Sequence, residues 1–250
     1  MIREHAGFNS TAQAWALTLL INKIDIVKSG IEKKSGVPET FSSENFQTIC
    51  DRLGRKDKAL RQVLQAHGYP PMWTRKNNFE TLVHIILEQQ VSLASALAAL
   101  NKLKEKIKRI TPSRVLDLTD EEMRACYVSR QKMVYIRGLA ESIRKGHTDL
   151  KKLSKQSNEK VREELIVLKG IGNWTIDVYL MFALQRTDLF PIGDLAAVNA
   201  LKRVKNLAKD TSREDMLKVS EGWAPFRTVA TMILWHYYLS NTGKKIAPVE

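Results

Sequence analysis

Apolar residues recur at helical spacing along almost the whole chain, and this constrains the fold class before any motif is read. Phe79, Leu82, Val83, Ile86 and Leu87 form one stripe, and Leu93, Leu97, Leu100, Leu103 and Ile107 repeat it. The same spacing predicts helices over 57–67, 78–88, 93–107, 120–126, 130–145, 158–168, 174–185, 195–207, 213–220 and 225–240. Ser92, Thr119, Ser129 and Asp194 stand where N-caps belong, and Thr119 with Glu122 has the capping-box pattern. Alternating apolar and polar runs closed by Asn-Gly or Asp-Gly turns are missing, so a sheet has little support. The expected class is all-α.

Residues 1–45 read as a separate N-terminal piece: one amphipathic helix of unassigned role, then a polar, glycine-containing linker running from Lys28 to Pro38 and on to 45. Residues 46–250 read as one helical domain. The apolar run Ala14–Ile21 ends at Asn22, Lys23 and Asp25, well short of the ~20 residues that cross a bilayer. The start of the chain also lacks the form of a signal peptide, so an intracellular protein without membrane contact is expected. Cys50 and Cys126 are the only two cysteines. That count excludes a disulfide framework, a cysteine-rich zinc site and a four-cysteine iron–sulfur cluster. Forty Lys and Arg against 27 Asp and Glu leave a formal charge of +13, which favours a polyanionic partner.

The most informative stretch is Leu165-Ile-Val-Leu-Lys-Gly-Ile-Gly-Asn-Trp-Thr175. A helix is expected to end near Leu168, Gly170 and Gly172 to turn the chain, and a second helix to open near Asn173. Glycine accepts positive φ and admits close backbone approach. Bare N–H groups at the new helix start favour an anion such as phosphate. An ordinary helix connection with a glycine C-cap has the same local pattern. A dinucleotide-binding loop does not fit, because Thr175 stands at the third glycine's place and no strand precedes.

This Leu-x-Gly-Ile-Gly-x-Trp-Thr motif is followed by Phe190-Pro-Ile-Gly-Asp194. It is flanked by Phe79-Glu-Thr-Leu…Ile86-Leu-Glu-Gln-Gln-Val-Ser92 and by Trp223-Ala-Pro-Phe-Arg227…Leu234-Trp235. Together these four ordered segments, over roughly residues 75 to 240, resemble the superfamily of base-excision DNA glycosylases, whose mark is a helix–hairpin–helix, a Gly/Pro-rich loop and an aspartate. Within it they are most similar to the 3-methyladenine DNA glycosylase II family. The resemblance implies a two-lobed helical fold with the active-site cleft between the lobes. The segment before Phe79 reads helical, so the version without an extra N-terminal β domain is implied. Glu88 departs from the small residue implied before the Gln-Gln pair.

Carried onto this chain, the resemblance makes Asp194 the carboxylate that stabilises the departing sugar cation and assists water. Asp is also among the commonest N-caps, so its position alone does not separate capping from catalysis. Trp174 and Trp235 fall on positions that line the base pocket, where indole faces would attract a cationic alkylpurine. Gln89 and Tyr179 are implied at the substrate, with Trp73 and Met181 within reach. Gln90 is the wedge candidate that fills the gap left by a flipped nucleotide. Lys169, Gly170, Ile171, Gly172, Thr175, Ser129 and Lys132 are implied at DNA. Side chains offer no metal site and no cofactor is required, although hairpin carbonyls at Leu168 and Ile171 could hold Na+ or K+. Trp174 fills the place where bifunctional relatives carry a Schiff-base lysine, which implies a monofunctional enzyme that uses water. The expected partner is double-stranded DNA bearing alkylated bases such as 3-methyladenine or 7-methylguanine, met by a monomer. Two alternatives stay open: a bifunctional glycosylase/lyase for oxidised or mismatched bases, and a non-enzymatic DNA-binding module.

Overall fold

In a computed structural model, residues 39–242 are described; the expected helix at the start of the chain and the linker Lys28–Pro38 lie outside them. Thirteen helices are found among the described residues. They are α1 (Phe46–Lys56), α2 (Lys58–His67), α3 (Phe79–Glu88), α4 (Leu93–Ile107), α5 (Pro112–Leu116), α6 (Asp120–Ala125) and α7 (Arg130–Arg144). The remaining six are α8 (Leu150–Leu153), α9 (Asn158–Leu165), α10 (Asn173–Phe182), α11 (Leu195–Val204), α12 (Arg213–Glu221) and α13 (Arg227–Thr242). The all-α expectation holds, with one isolated antiparallel bridge between Thr40 and Arg186 among these residues.

The start signals read from the sequence perform as caps. Ser92, Ser129 and Asp194 accept from the backbone N–H of Ser95, Lys132 and Ala197, and Thr119 forms both halves of a capping box with Glu122. Helices α1, α5 and α8 lie outside the expected set. The stripe Phe46, Ile49, Cys50 and Leu53 of α1 is regular and buried, but Asn45 makes no side-chain cap. Helices α5 and α8, at 5 and 4 residues, are too short to show a period.

Two hydrophobic cores divide the body into two lobes. The middle of the chain, Phe79 to Leu184, builds one; its two flanks, Phe41 to Val63 and Phe190 to Trp235, build the other. Helix α10 serves both, because Tyr179 and Leu180 enter the first core while Met181 enters the second. Phe182 and Leu189 pack against each. Residues 39–45, expected as linker, join this body instead. Phe41 is 1% exposed, its N–H donates to Gln185 O at 2.9 Å, and Thr187 N–H donates to Glu39 O at 3.0 Å. Burial of such a ring contributes about 1.5–3 kcal/mol, enough to hold the segment down. Cys50 and Cys126 are free and buried, and burial pushes the Cys50 thiol up to about 12.

Candidate active site

The loop after α10 ends in a turn closed by Asp194 N–H donating to Pro191 O at 2.8 Å, which delivers Asp194 to the start of α11. There its carboxylate meets three donors. Ala197 N–H reaches Oδ1 at 2.8 Å, Trp235 Nε1 reaches Oδ1 at 3.0 Å, and Trp174 Nε1 reaches Oδ2 at 3.0 Å. One indole comes from the first turn of α10 and the other from α13, so the carboxylate sits at the seam of the lobes. Hydrogen bonds to a charged acceptor contribute about 1.5–3 kcal/mol each, so its orientation is fixed. No Lys, Arg or His among the described residues forms an ion pair with it. A carboxylate held by neutral donors keeps its full negative charge for whatever comes near.

The two tryptophans therefore present their N–H edges to Asp194, a contact that the expected pocket lining by ring faces did not include. Trp235 is 8% exposed, with its ring 5.4 Å from Phe182 and 6.5 Å from Trp73. Trp174 is half-buried and retains open surface. Tyr179 does not reach a cleft: it is fully buried, its hydroxyl donates to Asn77 Oδ1 at 2.7 Å, and burial pushes its phenol well above the ordinary range. Met181 is likewise buried, whereas Trp73 is half-buried beside Trp235.

The hairpin enters the same neighbourhood, since Gly172 is the N-cap of α10 and Trp174 lies in that first turn. Helix α9 ends at Leu165, earlier than expected, and Leu168 and Ile171 close the turn through Ile171 N–H donating to Leu168 O at 3.0 Å. Gly170 adopts φ +85, and a Cβ there would fall 2.1 Å from the Tyr135 ring, so no other residue fits. Gly172 is exposed, with nothing within 4 Å of a built Cβ, and no side chain caps the helix it opens. Lys169 is exposed, Ile171 is buried, and Val167 at the turn is 78% exposed.

Gln89 braces this hairpin from within. Its Nε2 donates to Gly170 O at 2.8 Å and to Thr175 Oγ1 at 3.0 Å, which commits the amide expected at the substrate, and buried Thr175 with it, to an internal joint. Gln90 is exposed in the bend before α4 and adopts φ +58. Ser129 is exposed as the cap of α7. Lys132, expected at phosphate, instead donates its Nζ to Leu87 O at 2.7 Å near the end of α3, and burial pushes its amine pKa down. The lysine run on α4 is mostly spent on its neighbours: Lys102, Lys104 and Lys106 pair with Glu105, Glu80 and Glu122.

Two contributors escape the sequence reading. Tyr135 sits half-buried over Gly170, its hydroxyl accepting from Gln131 Nε2, and only its place one turn past Gln131 hinted at this. Arg75 pairs with Glu88, and no local pattern announces a contact from an irregular segment to a helix end. Among the described residues no cluster of His, Cys, Asp or Glu could hold a metal ion, and no helix is long and apolar enough to cross a membrane.

Comparison with known proteins places this geometry. The chain is 34% identical over 165 residues to DNA-3-methyladenine glycosylase 1 of Schizosaccharomyces pombe, covering 64% of this chain and 72% of that one. It is 28% identical over 225 residues to a DNA-3-methyladenine glycosylase of Bacillus subtilis, covering 80% and 70%. A solved structure of the Schizosaccharomyces pombe 3-methyladenine DNA glycosylase in complex with abasic DNA shares the fold, with a TM-score of 0.69 at 31% identity, over 75% of this chain and 95% of that one. The profile that describes HhH-GPD proteins matches residues 83–225, from within α3 past the hairpin and Asp194 to the loop before α13. With its glycine hairpin and its clamped aspartate inside that span, the chain belongs to the HhH-GPD superfamily of base excision DNA repair proteins.

Proposed function

We propose that the protein is a monofunctional DNA glycosylase that hydrolyses the N-glycosidic bond of cationic alkylpurines, 3-methyladenine and 7-methylguanine, in double-stranded DNA. The observation that carries this is the Asp194 carboxylate, fixed by two indole N–H groups and one backbone N–H and, among the described residues, in no ion pair with a cation. An N-alkylated purine leaves with the bonding electron pair, which neutralises its ring. The positive charge passes to the deoxyribose, where a fixed anion lowers the barrier. Water adds to the sugar carbon, its proton goes to Asp194, and an abasic site remains. The half-buried Trp174 face supplies cation–π attraction of about 0.5–2 kcal/mol for a charged base over its neutral parent.

Exposed backbone at Gly172 and the uncapped start of α10 suit a DNA phosphate, and exposed Lys169 and Ser129 suit further phosphates. Gln90, exposed in its strained bend, fills the space of the extruded nucleotide. A monovalent cation suits the hairpin carbonyls, because Leu168 O accepts from Ile171 N–H with one lone pair, a carbonyl has a second, and neutral oxygens suit a singly charged ion. Lys202 donates its amine to Lys209 O, which agrees with a water nucleophile in place of a lysine.

The test is release of free base from duplex DNA treated with a methylating agent, run beside borohydride trapping. Free 3-methyladenine and 7-methylguanine with no trapped adduct are expected. A trapped adduct would make the protein a bifunctional lyase, and tight binding without release a DNA-binding module.

A further inference from the structure

Behind the Asp194 clamp lies a buried ion pair that the mechanism above leaves idle. Arg75 Nη1 donates to Glu88 Oε2 at 3.0 Å and Nη2 to Oε1 at 2.6 Å, the two side chains being 11% and 5% exposed. The Arg75 backbone N–H donates to Phe182 O at 2.9 Å, and its guanidinium stands 5.4 Å from the Phe182 ring. Phe182 in turn lies 5.4 Å from Trp235, whose indole holds Asp194. One aromatic ring thus separates a guanidinium from the indole that orients the carboxylate. A bare guanidinium there would repel a cationic sugar and base, because fields reach far in a partly dehydrated seam.

Around His84, the charged side chains that act on it cancel only with Glu88 included. His84 Nε2 lies 3.6 Å from Glu88 Oε1, and burial pushes its imidazole below the ordinary range, so it is neutral near pH 7. Lys104 and Glu80, the other charged neighbours of His84, pair with each other at 2.8 Å. Arg75 and Glu88 then cancel. We propose that Glu88 is a positioning residue for cation excision: it fixes Arg75 and neutralises it, so that Arg75 props the Phe182–Trp235 stack without setting positive charge behind Asp194. The proposal rests on the excision reading above and adds what admits a charged substrate. It also accounts for an acidic side chain at a position where the family pattern implied a small one.

Two abasic duplexes measure it, one carrying a neutral tetrahydrofuran and one a pyrrolidine protonated at neutral pH, which mimics the sugar cation. Each preparation's ratio of affinities cancels its unfolded fraction, so a destabilised variant still reports. Wild type should prefer the pyrrolidine. Glu88→Gln should lose about three- to sixfold of that preference, the size expected of one uncompensated charge on the order of 10–15 Å away at an effective dielectric near 30. The double variant Arg75→Met/Glu88→Met, which removes both charges at similar volume, should regain it. An unchanged ratio in Glu88→Gln, or a double variant as impaired as the single, makes the pair mere packing and overturns the proposal. A wild type without preference overturns the excision reading, and the proposal falls with it.

Discussion

Two aspartates in this molecule look alike and are wired differently. Asp57 and Asp194 both cap helices, and both accept an indole N–H: Asp57 from Trp223 at 2.7 Å, Asp194 from Trp174 and Trp235. Asp57 also receives Lys205 Nζ at 2.9 Å, which ties the end of α11 to the start of α2. Burial alone would raise the Asp57 carboxyl, yet the hydrogen bonds from Trp223 and Lys205 and the lysine's charge outweigh it and hold it below the usual range. Asp57 is therefore a neutralised joint. Asp194 has the same cap and the same kind of donor, and no cation among the described residues pairs with it, which on the proposed reading leaves its charge available to a substrate. On the proposed reading, an aspartate N-cap becomes a reactive site by what is withheld from it.

Exchanging each carboxyl for an amide should separate the two roles completely. Asp194→Asn should cut base release by about 10²–10⁴-fold, the usual worth of a positioned acid or base. Its stability should change by less than about 2 kcal/mol, since one oxygen still accepts from Ala197 and Trp235 while the new NH2 faces the Trp174 N–H. Asp57→Asn should do the reverse, losing about 1–3 kcal/mol while excising at the wild-type rate wherever it is folded. Single-turnover release and urea unfolding read both. Should Asp57→Asn be inert while folded, the contrast between joint and reactive group breaks.

The hairpin glycines make the same point in backbone. Gly170→Ala should destabilise by at least about 2 kcal/mol, because a methyl must displace the Tyr135 ring and hold a positive φ. Gly172→Ala meets open space at φ −98, so stability should be unchanged or rise by about 0.4–1 kcal/mol. Its affinity for abasic DNA should nonetheless fall about tenfold, the effect of a methyl set between backbone and phosphate. Wild-type affinity in Gly172→Ala would mean that the open side of the hairpin faces no DNA.

Acid sharpens the contrast further. The Asp57 carboxyl titrates lower in the folded chain than in the unfolded one, where it sits near 3.9. It therefore stabilises above that value, and the gain is lost as pH falls through the folded value. The stability gap between wild type and Asp57→Asn should be widest near neutrality and narrow below pH about 4, in urea midpoints taken at both ends. A gap that widens in acid would show that Asp57 is not held in its charged form by Lys205 and Trp223.

Much of this site was legible because its signals are local. A cap residue, a capping box and a Gly-x-Gly turn each act within a few positions, and Asp194, Gly170 and Gly172 stand where those signals put them. The resemblance implies Tyr179 at the substrate, and the residues could not correct it, because α10 is apolar nearly all round and its period does not tell a pocket face from a core face. Gln89 and Lys132 went to the hairpin carbonyl and the α3 end, contacts that span 81 and 45 residues and leave no local trace. Arg75 and Glu88 are hidden for the same reason. A motif names the groups that must be present, and packing between distant segments decides which of them stays free.

The smallest expected effect falls on Lys169, the exposed cation at the hairpin turn. A lysine that touches one phosphate releases about one counterion on binding, and the slope of log affinity against log salt is about −0.9 per contact on duplex DNA. Lys169→Ala should weaken duplex binding only a few-fold near 0.1 M salt and make that slope shallower by about 1. Asp194→Asn should leave the slope where it was, because a clamped carboxylate at the sugar neutralises no phosphate. The two slopes thus separate the side of the site that holds the backbone from the side that does chemistry, independently of any turnover. If Lys169→Ala keeps the wild-type slope, the hairpin's cation points into solvent in the complex, and the basic charge that attracts DNA to this protein must lie on other helices.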